Sequence, residues 1–354
     1  LIKNLTNHFQ AFDSKNVETG TIPSYDDVKN HFKSFFIEPE TNAQPTIFEY
    51  FDEFINRPEN QRQLSSGTIK SYSLTKTFLK RFYDEKQKFD FESINLNWYN
   101  DFIEWCEDQN LSVNYIGKHI KVLKSLLNDA YDNGVTTNIQ WKHKKFKILK
   151  EDVENIYLTE GELSKMWAYN LERHPNHQRA RDLFLIGAYT GLRVSDYGSL
   201  TENNIKRVKG RDILKVTTQK TGKVVGIPLH RIVKNILARY DNKPPEKMPP
   251  QRINILIKEV AEWCGIDSTE HITVSKGGRK ITKKMIKSEL VKTHTARRSF
   301  CTNAYLKGMS TLDIMDISGH KTESAFLTYI KVTPEERAVK MSDHAFFKSE
   351  LKVV

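Results

Sequence analysis

Apolar residues in the first part of the chain recur at steps of three and four, the spacing that places side chains on one face of an α-helix. Runs of this kind begin near Pro45, near Ser66, at Trp98 and at Ser112. The longest run carries one apolar stripe, which consists of Ile116, Ile120, Leu123, Leu127 and Ala130. Because stripes on several helices bury one another, the pattern predicts a helical domain over residues 41–138.

A lysine-rich segment separates this region from the rest of the chain. Residues 141–150 contain five lysines and no acidic residue, so we interpret residues 139–153 as a basic linker between two domains. Such a linker either lies along a phosphate backbone or is a solvated connector. Residues 1–40 are polar and weakly patterned, and we interpret them as the end of a truncated region or a flexible arm.

Residues 154–354 predict a second domain of mixed α/β composition. Thr159 and Glu162 have the spacing of a capping box, which starts a helix. Segments 212–219 and 224–228 have strand composition and flank a tight turn, so they predict a hairpin. Further helices are expected at residues 178–189, 229–240, 251–263 and 295–307, and from Pro334 onward. The fold class is mainly α: an N-terminal helical domain, then a mostly helical α/β domain with a small antiparallel sheet.

The charge balance favours a polyanionic partner. The chain has 55 Lys and Arg residues against 44 Asp and Glu residues, which gives a net charge of +11. Nucleic acid is the expected polyanion, because no amphipathic membrane helix or lipidation signal is evident. No apolar run approaches the ~20 residues that a membrane span needs. The alternative is a basic protein that has no such partner.

The cysteines suggest a reducing compartment. Cys106, Cys264 and Cys301 are far apart and odd in number, so they predict neither a disulfide framework nor a zinc site. The histidines and carboxylates also lack the spacing of metal ligands. We therefore expect no metal and no cofactor.

Five residues of the second domain have the chemistry to hold and attack a phosphodiester: Arg193, His294, Arg297, His320 and Tyr329. Attack builds negative charge on the non-bridging oxygens, and the planar fork of arginine meets that charge with two hydrogen bonds. His294 lies three residues before Arg297 and hence on the same helix face, while His320 offers a further donor. Tyr329 is the expected nucleophile, since a histidine can accept its proton and nearby cations favour the phenolate.

The deoxyribose hydroxyl that leaves during such a reaction needs a proton. Lys220, at the tip of the predicted hairpin, is a flexible cation that can deliver it. Lys223 stands on the other side of the same turn and is the alternative. A covalent protein–DNA link conserves the energy of the phosphodiester bond, so we expect no need for ATP.

This ordered set resembles the motif of the tyrosine recombinase family, the phage-integrase-like enzymes. The family motif is Arg, Lys, His-x-x-Arg, His or Trp, and then Tyr. The matching residues are Arg193, Lys220, His294, Arg297, His320 and Tyr329. Asp196 matches an acidic position that supports the family's site. Arg298, Cys301 and Ser318 depart from the family pattern, which commonly has a histidine, an alanine and a leucine there.

The resemblance implies a SAM-like core-binding domain and a catalytic domain that together clamp double-stranded DNA at a recombination site. In these terms, residues 1–40 are a remnant of an arm-binding region or a flexible arm, and residues 41–138 are the core-binding domain. Residues 139–153 are the basic linker, and residues 154–354 are the catalytic domain with a C-terminal tail. The lysines expected to contact DNA are Lys70, Lys76, Lys80, Lys118, Lys121, Lys142, Lys144 and Lys145.

The resemblance also implies 3′-phosphotyrosine intermediates and a homotetramer on DNA in which the C-terminal tail docks in a neighbour. It predicts the integrase of a mobile element in the cytoplasm of a bacterium, associated with the nucleoid and assisted by accessory DNA-bending proteins. The alternatives are strand passage like that of a type IB topoisomerase and a non-catalytic DNA-bridging protein. The short spacing from His320 to Tyr329 disfavours the first alternative, and the complete motif disfavours the second.

Overall fold

The computed structural model describes residues 44–332 without a gap, together with 22–36, 334–342, 345–348 and scattered positions between 6 and 20. Residues 1–5 and 37–40 of the predicted arm, and residues 349–354 of the predicted tail, lie outside the described residues. The chain divides into two compact units. The first comprises Leu1–Glu151 and Ser275–Lys280, and the second comprises Asp152–Val274 and Ile281–Val354.

Helices build the first unit. Their bounds are α1 Tyr25–Phe36, α2 Ile47–Asn56, α3 Pro58–Gln63, α4 Ser66–Glu85, α5 Leu96–Asp108 and α6 Val113–Asp132, followed by a 3-10 turn at Gln140–Lys142. A capping box starts α2, where Thr46 and Glu49 each accept the other's backbone N–H. Side chains of Ser65, Asn95 and Ser112 accept the first free N–H groups of α4, α5 and α6. The sequence did not predict α1 and α3.

Aromatic rings fill the core of the first unit. The ring centroid of Phe82 lies 5.2 Å from that of Phe102 and 5.7 Å from that of Trp98, both edge to face. Trp98 and Phe102 stack at 5.2 Å. The apolar stripe predicted on α6 is fully buried against this cluster. The helical character predicted for this region is therefore confirmed.

The segment predicted as a basic linker packs onto the first unit over most of its length. Trp141 and Phe146 are buried in the aromatic core, and Lys124 of α6 donates to the Phe146 carbonyl at 2.8 Å. Glu151 and Asn114 exchange two hydrogen bonds, which hold the end of the segment to α6. The linker interpretation is wrong for residues 139–151, because the count of lysines hid two apolar anchors among them.

The second unit contains most of the remaining elements. Its helices are α7 Glu160–Ala168, α8 Pro175–Thr190, α9 Val194–Tyr197, α10 Arg231–Arg239, α11 Pro250–Trp263, α12 Lys287–Leu290, α13 Thr293–Leu306, α14 Thr311–Ser318, α15 Glu323–Leu327, α16 Pro334–Ser342 and α17 Ala345–Lys348. The predicted capping box at Thr159 and Glu162 starts α7 and is confirmed. Short helices such as α14 and α15 were not predicted.

Two small sheets accompany these helices. Strands β1 Ile205–Val208, β2 Arg211–Thr217 and β3 Val224–Pro228 form an antiparallel sheet in the order β1-β2-β3. The predicted β2–β3 hairpin is confirmed, with Val216 opposite Val225 and Thr217 opposite Val224. Strands β4 Thr269–Lys276 and β5 Arg279–Ile286 form a second, two-stranded sheet that the sequence did not predict. The mainly α fold class with small antiparallel sheets is confirmed.

Glycine lets α8 end against α13. Gly191 adopts a left-handed conformation with φ of 67°, and a Cβ there would lie 2.4 Å from a ring carbon of Phe300. Gly187, one turn earlier, leaves similar room for Tyr197. This close approach places the backbone after α8, and therefore Arg193, beside the polar residues of α13.

Candidate active site

Arg297 of α13 anchors the site. Its side chain is almost completely buried, and its Nη1 donates to the Gly191 carbonyl at 2.7 Å. Its Nη2 donates to Nε2 of His320 at 3.0 Å. A buried guanidinium is costly without such partners, so these bonds fix its position. Because Nε of Arg297 has no partner among the described residues, the group keeps a free donor.

His320 is held in one tautomer. Ser318 Oγ donates its hydrogen to the Ile314 carbonyl at 2.6 Å and lies 2.7 Å from Nδ1 of His320. Nδ1 of His320 is therefore the protonated ring nitrogen, and its N–H donates a hydrogen bond to Ser318 Oγ. Nε2 is then the acceptor that faces Arg297. Desolvation, with Arg297 and Arg193 adding to it, lowers the pKa of His320 to about 3. The histidine predicted as a further phosphate donor thus orients an arginine in this structure.

Tyr329 lies against both histidines. Its Oη is 2.8 Å from Nε2 of His294, and its ring centroid is 4.6 Å from that of His320. The guanidinium carbon of Arg297 stands over the same ring at 5.4 Å from the centroid. The structure therefore brings the predicted nucleophile together with His294, Arg297 and His320.

The charge state of His294 suits it to accept a proton. Part of its side chain reaches solvent, yet desolvation of the ring lowers the pKa of His294 to about 4. Neighbouring cations add to that effect, in the order Arg298, Arg297, Arg193 and Lys220. At neutral pH the imidazole is uncharged, so its Nε2 can accept the hydrogen bond from the phenolic hydroxyl of Tyr329.

Arg193 and Asp196 stand at the start of the short helix α9. Nη1 of Arg193 and Oδ2 of Asp196 are buried, and neither has a hydrogen-bond partner among the described residues. The other carboxylate oxygen of Asp196 accepts the backbone N–H of Gln219 at 2.9 Å. Buried donors without acceptors carry a cost that a bound anion relieves.

The β2–β3 turn distinguishes the two candidate lysines. Lys223 is committed to an ion pair, with its Nζ 2.8 Å from Oδ1 of Asp316. Lys220 has no such partner among the described residues, and its charge contributes to the lowered pKa of His294. Gln219 fixes the base of this turn, because its side-chain amide donates to the Ser195 carbonyl at 2.9 Å. The geometry favours Lys220 as the cation that serves the site.

The lysines predicted to contact DNA all belong to the first unit. Lys70, Lys118, Lys121, Lys142, Lys144 and Lys145 are exposed. Lys76 pairs with Asp52, and Lys80 pairs with Asp84 at 3.3 Å, so these two charges are partly neutralised within the protein. DNA binding by this set stays a prediction.

Two residues that position the site were missed by the sequence reasoning. Gln219 lies at the end of a predicted strand and carried no sign of a role in the site. Its side-chain amide donates to the Ser195 carbonyl and to Ser199 Oγ, which lie 24 and 20 positions earlier in the chain. Thr302 donates from Oγ1 to the Tyr329 carbonyl at 3.1 Å. Its spacing of eight residues from His294 was a usable signal, since i and i+8 share a helix face.

Within the part of the chain that the structure describes, no group of three or more His, Cys, Asp or Glu side chains is placed to hold a metal ion. Among the same residues, no helix combines the length and the apolar character that crossing a membrane requires.

The buried donors of Arg193 and Arg297 that have no acceptor can bind an anion. The phenol of Tyr329, whose proton faces a neutral imidazole, can attack an electrophile. A phosphodiester is both, so the site fits an enzyme that breaks and rejoins phosphodiester bonds. Residues 46–148 match the family model of the phage integrase SAM-like domain, and residues 157–336 match that of the phage integrase family. The chain belongs to the phage integrase family and is a tyrosine-type site-specific DNA recombinase.

Solved structures share the fold at low sequence identity. The Tn1549 transposon integrase in complex with a circular intermediate DNA has a TM-score of 0.62 and 16% identity, over 84% of this chain and 99% of that chain. A lambda integrase tetramer bound to a Holliday junction has a TM-score of 0.60 and 16% identity, over 82% of this chain and 78% of that chain. A lambda integrase dimer bound to a COC' core site has a TM-score of 0.59 and 17% identity, over 79% of this chain and 97% of that chain. No curated protein sequence matches the chain.

Proposed function

We propose that the chain integrates or excises a mobile element by cleaving DNA through Tyr329 and forming a 3′-phosphotyrosine intermediate. The observation that carries this proposal is the 2.8 Å contact between Tyr329 Oη and Nε2 of a neutral His294. A nucleophile within hydrogen-bond reach of its base is the arrangement that covalent catalysis requires.

Each proposed role follows from the contacts of one side chain. Tyr329 passes its phenolic proton to His294 as its oxygen bonds to phosphorus. Arg193 and Arg297, which keep buried donors free, bind the non-bridging oxygens as their charge grows. The bond from phosphorus to the 5′ oxygen breaks, and Lys220 protonates that oxygen. Attack by another 5′ hydroxyl on the phosphotyrosine reverses these steps and rejoins the strand.

Asp196 is assigned a positioning role. Its hydrogen bond to the Gln219 backbone joins the segment that carries Arg193 to the turn that carries Lys220. The phosphate-binding arginine and the general acid are thereby kept at a fixed separation. Lys223, which Asp316 holds, is left out of the reaction.

The domain organisation proposed for this function uses both units. The helical first unit is the core-binding domain, whose exposed lysines meet the phosphate backbone and position the protein without reading bases. The second unit is the catalytic domain. The matches to DNA-bound integrases support DNA as the partner, and the lambda tetramer supports a tetramer at the recombination site. Accessory DNA-bending proteins and a nucleoid location in the bacterial cytoplasm complete the proposal.

The C-terminal tail is proposed to connect protomers. Helix α16 contacts its own unit, where Tyr157 donates to Glu336 at 3.2 Å. Helix α17 exposes Phe346 and Phe347, and burial of two such rings in a neighbouring copy favours assembly. Replacing both phenylalanines by alanine is expected to lower synapsis on DNA and leave binding of one protomer to its site intact. Unchanged synapsis contradicts the tail's role.

A nicked suicide substrate tests the cleavage chemistry. On this DNA the wild type accumulates a covalent adduct, whereas Tyr329→Phe forms none because the nucleophile is gone. Tyr169→Phe, which alters a partly exposed tyrosine of the same unit, is the matched control and retains the adduct. Adducts that persist in Tyr329→Phe refute the assignment. If the protein instead relaxes supercoiled DNA without preference for a site, topoisomerase-like strand passage takes the place of recombination as the proposed function.

A further inference from the structure

The β4–β5 hairpin concentrates positive charge that the proposed reaction does not use. Residues 269–286 contain five Lys and Arg residues and one acidic residue. All five cations are exposed, and none makes an ion pair with any residue that the structure describes. Lys287, the next lysine along the chain, is buried and pairs with Glu162 at 2.7 Å. The unpaired cations of the hairpin are Lys276, Arg279, Lys280, Lys283 and Lys284.

Alternation along the strands sorts these side chains onto two faces. The hydroxyls of Thr273 and Thr282 meet across the strands at 2.9 Å, so both side chains point to the same face. Residues two positions away share that face, which adds Lys280 and Lys284 on β5 and His271 on β4. No acidic residue of the two strands belongs to this face. We call it the polar face, and its members are His271, Thr273, Lys280, Thr282 and Lys284.

The opposite face of the hairpin carries the apolar side chains. Four of them are half-buried: Ile272, Val274, Ile281 and Met285. An antiparallel ribbon of this kind rests on the protein through its apolar face and presents its polar face to solvent. Glu270 and Lys283 also belong to the apolar face by alternation.

Backbone hydrogen bonds hold the turn of the hairpin. Gly277 and Gly278 have φ of 53° and 69°, the positive values that a two-residue hairpin turn favours. The Gly277 N–H donates to the Leu111 carbonyl at 3.2 Å, and the Ser275 N–H donates to both carboxylate oxygens of Glu151 at 3.0 and 3.1 Å. All of these residues belong to the first unit. Because the turn is already fixed, binding through the hairpin costs less conformational entropy.

We propose that the polar face of the β4–β5 hairpin binds the phosphate backbone of the recombination-site duplex. It adds a contact surface to the eight lysines that the sequence predicted. The major groove of B-form DNA admits a two-stranded ribbon, and lysine and threonine side chains donate hydrogen bonds to phosphate oxygens. The inference rests on the proposed function only for the choice of DNA as the partner, and it does not depend on which residue is the nucleophile.

DNA affinity measured over a series of salt concentrations tests this surface. Each phosphate contact that is lost lowers the slope of log affinity against log salt concentration by about 1. The double variant Lys280→Ala with Lys284→Ala is therefore expected to lower the slope by about 2. Lys283→Ala is the matched control, because Lys283 is exposed on the same strand and belongs to the opposite face. It is expected to keep the slope of the parent protein. Every chain in the series carries Tyr329→Phe, so cleavage does not enter the measurement.

Ethylation of single DNA phosphates locates the contacts. Some phosphates are expected to block binding of the parent protein when they are ethylated and to have no effect on the double variant. An unchanged slope in the double variant overturns the proposal. An equal drop in Lys283→Ala does so too, since unspecific attraction, or lysines that only guard exposed strand edges, would not distinguish the two faces.

One further outcome would reassign the polar face. If the double variant binds DNA as the parent protein does and no longer assembles with other protomers on it, the partner is a protein surface and the proposal is overturned. Failure of the proposed cleavage chemistry appears separately, as covalent adducts in Tyr329→Phe on the nicked substrate.

Discussion

The two units use their interiors differently. The first buries a network of aromatic rings with few polar groups among them, and its exposed lysines stand outside that core. The second buries Arg297, His320 and Asp196 beside its apolar core, and some of their polar atoms have no partner among the described residues. Buried charge is costly, so a fold keeps it where a ligand compensates. We therefore expect the second unit to carry out DNA cleavage and the surface of the first unit to bind DNA.

A histidine with a lowered pKa in each unit makes the same contrast. Desolvation lowers the pKa of His119 in the first unit and of His294 in the second to about 4. His119 stacks on Phe78 at 4.3 Å, bonds to Thr75 at 2.9 Å and meets the ring of Tyr115 edge to face at 4.7 Å, so its one hydrogen bond goes to a threonine hydroxyl. His294 meets Tyr329. A displaced pKa thus indicates burial, and only the partner indicates function.

The largest expected effect separates the two lysines of the β2–β3 turn. Lys220→Ala is expected to slow cleavage by about 10²–10⁴-fold, the range for loss of a general acid. Lys223→Ala is the matched control and keeps its rate, because Lys223 is paired with Asp316. DNA with a sulfur in place of the bridging 5′ oxygen has a leaving group that needs no proton, so it should restore the rate of Lys220→Ala. No rescue by sulfur removes Lys220 from the acid role.

A core substitution in the first unit tests whether its interior serves packing alone. Phe102→Ala removes a fully buried ring that contacts Phe82 and Trp98, and is expected to cost about 3–5 kcal/mol in the free energy of unfolding. Chemical denaturation measures this loss. Cleavage at saturating protein and low temperature should stay close to the wild type. A large loss of rate in protein that remains folded and bound contradicts the division of roles.

Surface lysines of the first unit are expected to change affinity without changing chemistry. Lys118→Ala and Lys121→Ala should each lower the slope of log affinity against log salt concentration by about 1, as loss of one phosphate contact does. Lys76→Ala is the control with a smaller expected change, since Asp52 already holds that lysine. Equal slopes for all three variants would remove the distinction between free and paired lysines.

The dependence of the cleavage rate on pH gives the smallest expected effect, and it compares His294 of the second unit with His119 of the first. Because the folded pKa of His294 is lowered to about 4, cleavage should hold its rate from pH 8 to below pH 6 and fall only as pH approaches 4. Unfolded histidine binds protons near pH 6.5, so His119 and His294 both reduce stability as pH falls from 6.5 to 4. His119→Gln is expected to alter the stability profile alone. Half-maximal cleavage near pH 6.5 would show an ordinary histidine in the site.

Local signals in the sequence predicted local structure well. The capping box at Thr159 and the β2–β3 hairpin depend on residues within a few positions of each other, and both are confirmed. The second hairpin was missed because β4 and β5 are mostly polar and never fully buried, so they lack the usual strand pattern. Trp141 and Phe146 were taken for parts of a linker, since nothing in a short basic stretch shows where distant aromatic rings lie.

The candidate site followed the same rule. Residue types and their order named the tyrosine, two arginines and two histidines, and the structure brings them together. Their pairing was beyond the sequence, because it depends on long-range contacts. The tautomer of His320 is set by Ser318 and Arg297, and the choice between Lys220 and Lys223 is set by Asp316, all through geometry that spacing does not contain.

Tyr329 is expected to become joined to a DNA 3′ phosphate. Mass spectrometry of the adduct trapped on the suicide substrate, after digestion of both protein and DNA, identifies the two linked groups. We expect one modified peptide, which contains Tyr329 linked to the 3′ phosphate of a nucleotide, with a free 5′ hydroxyl on the released strand. A nucleotide on any other residue, or a link through a 5′ phosphate, would refute the assignment of Tyr329 as the nucleophile.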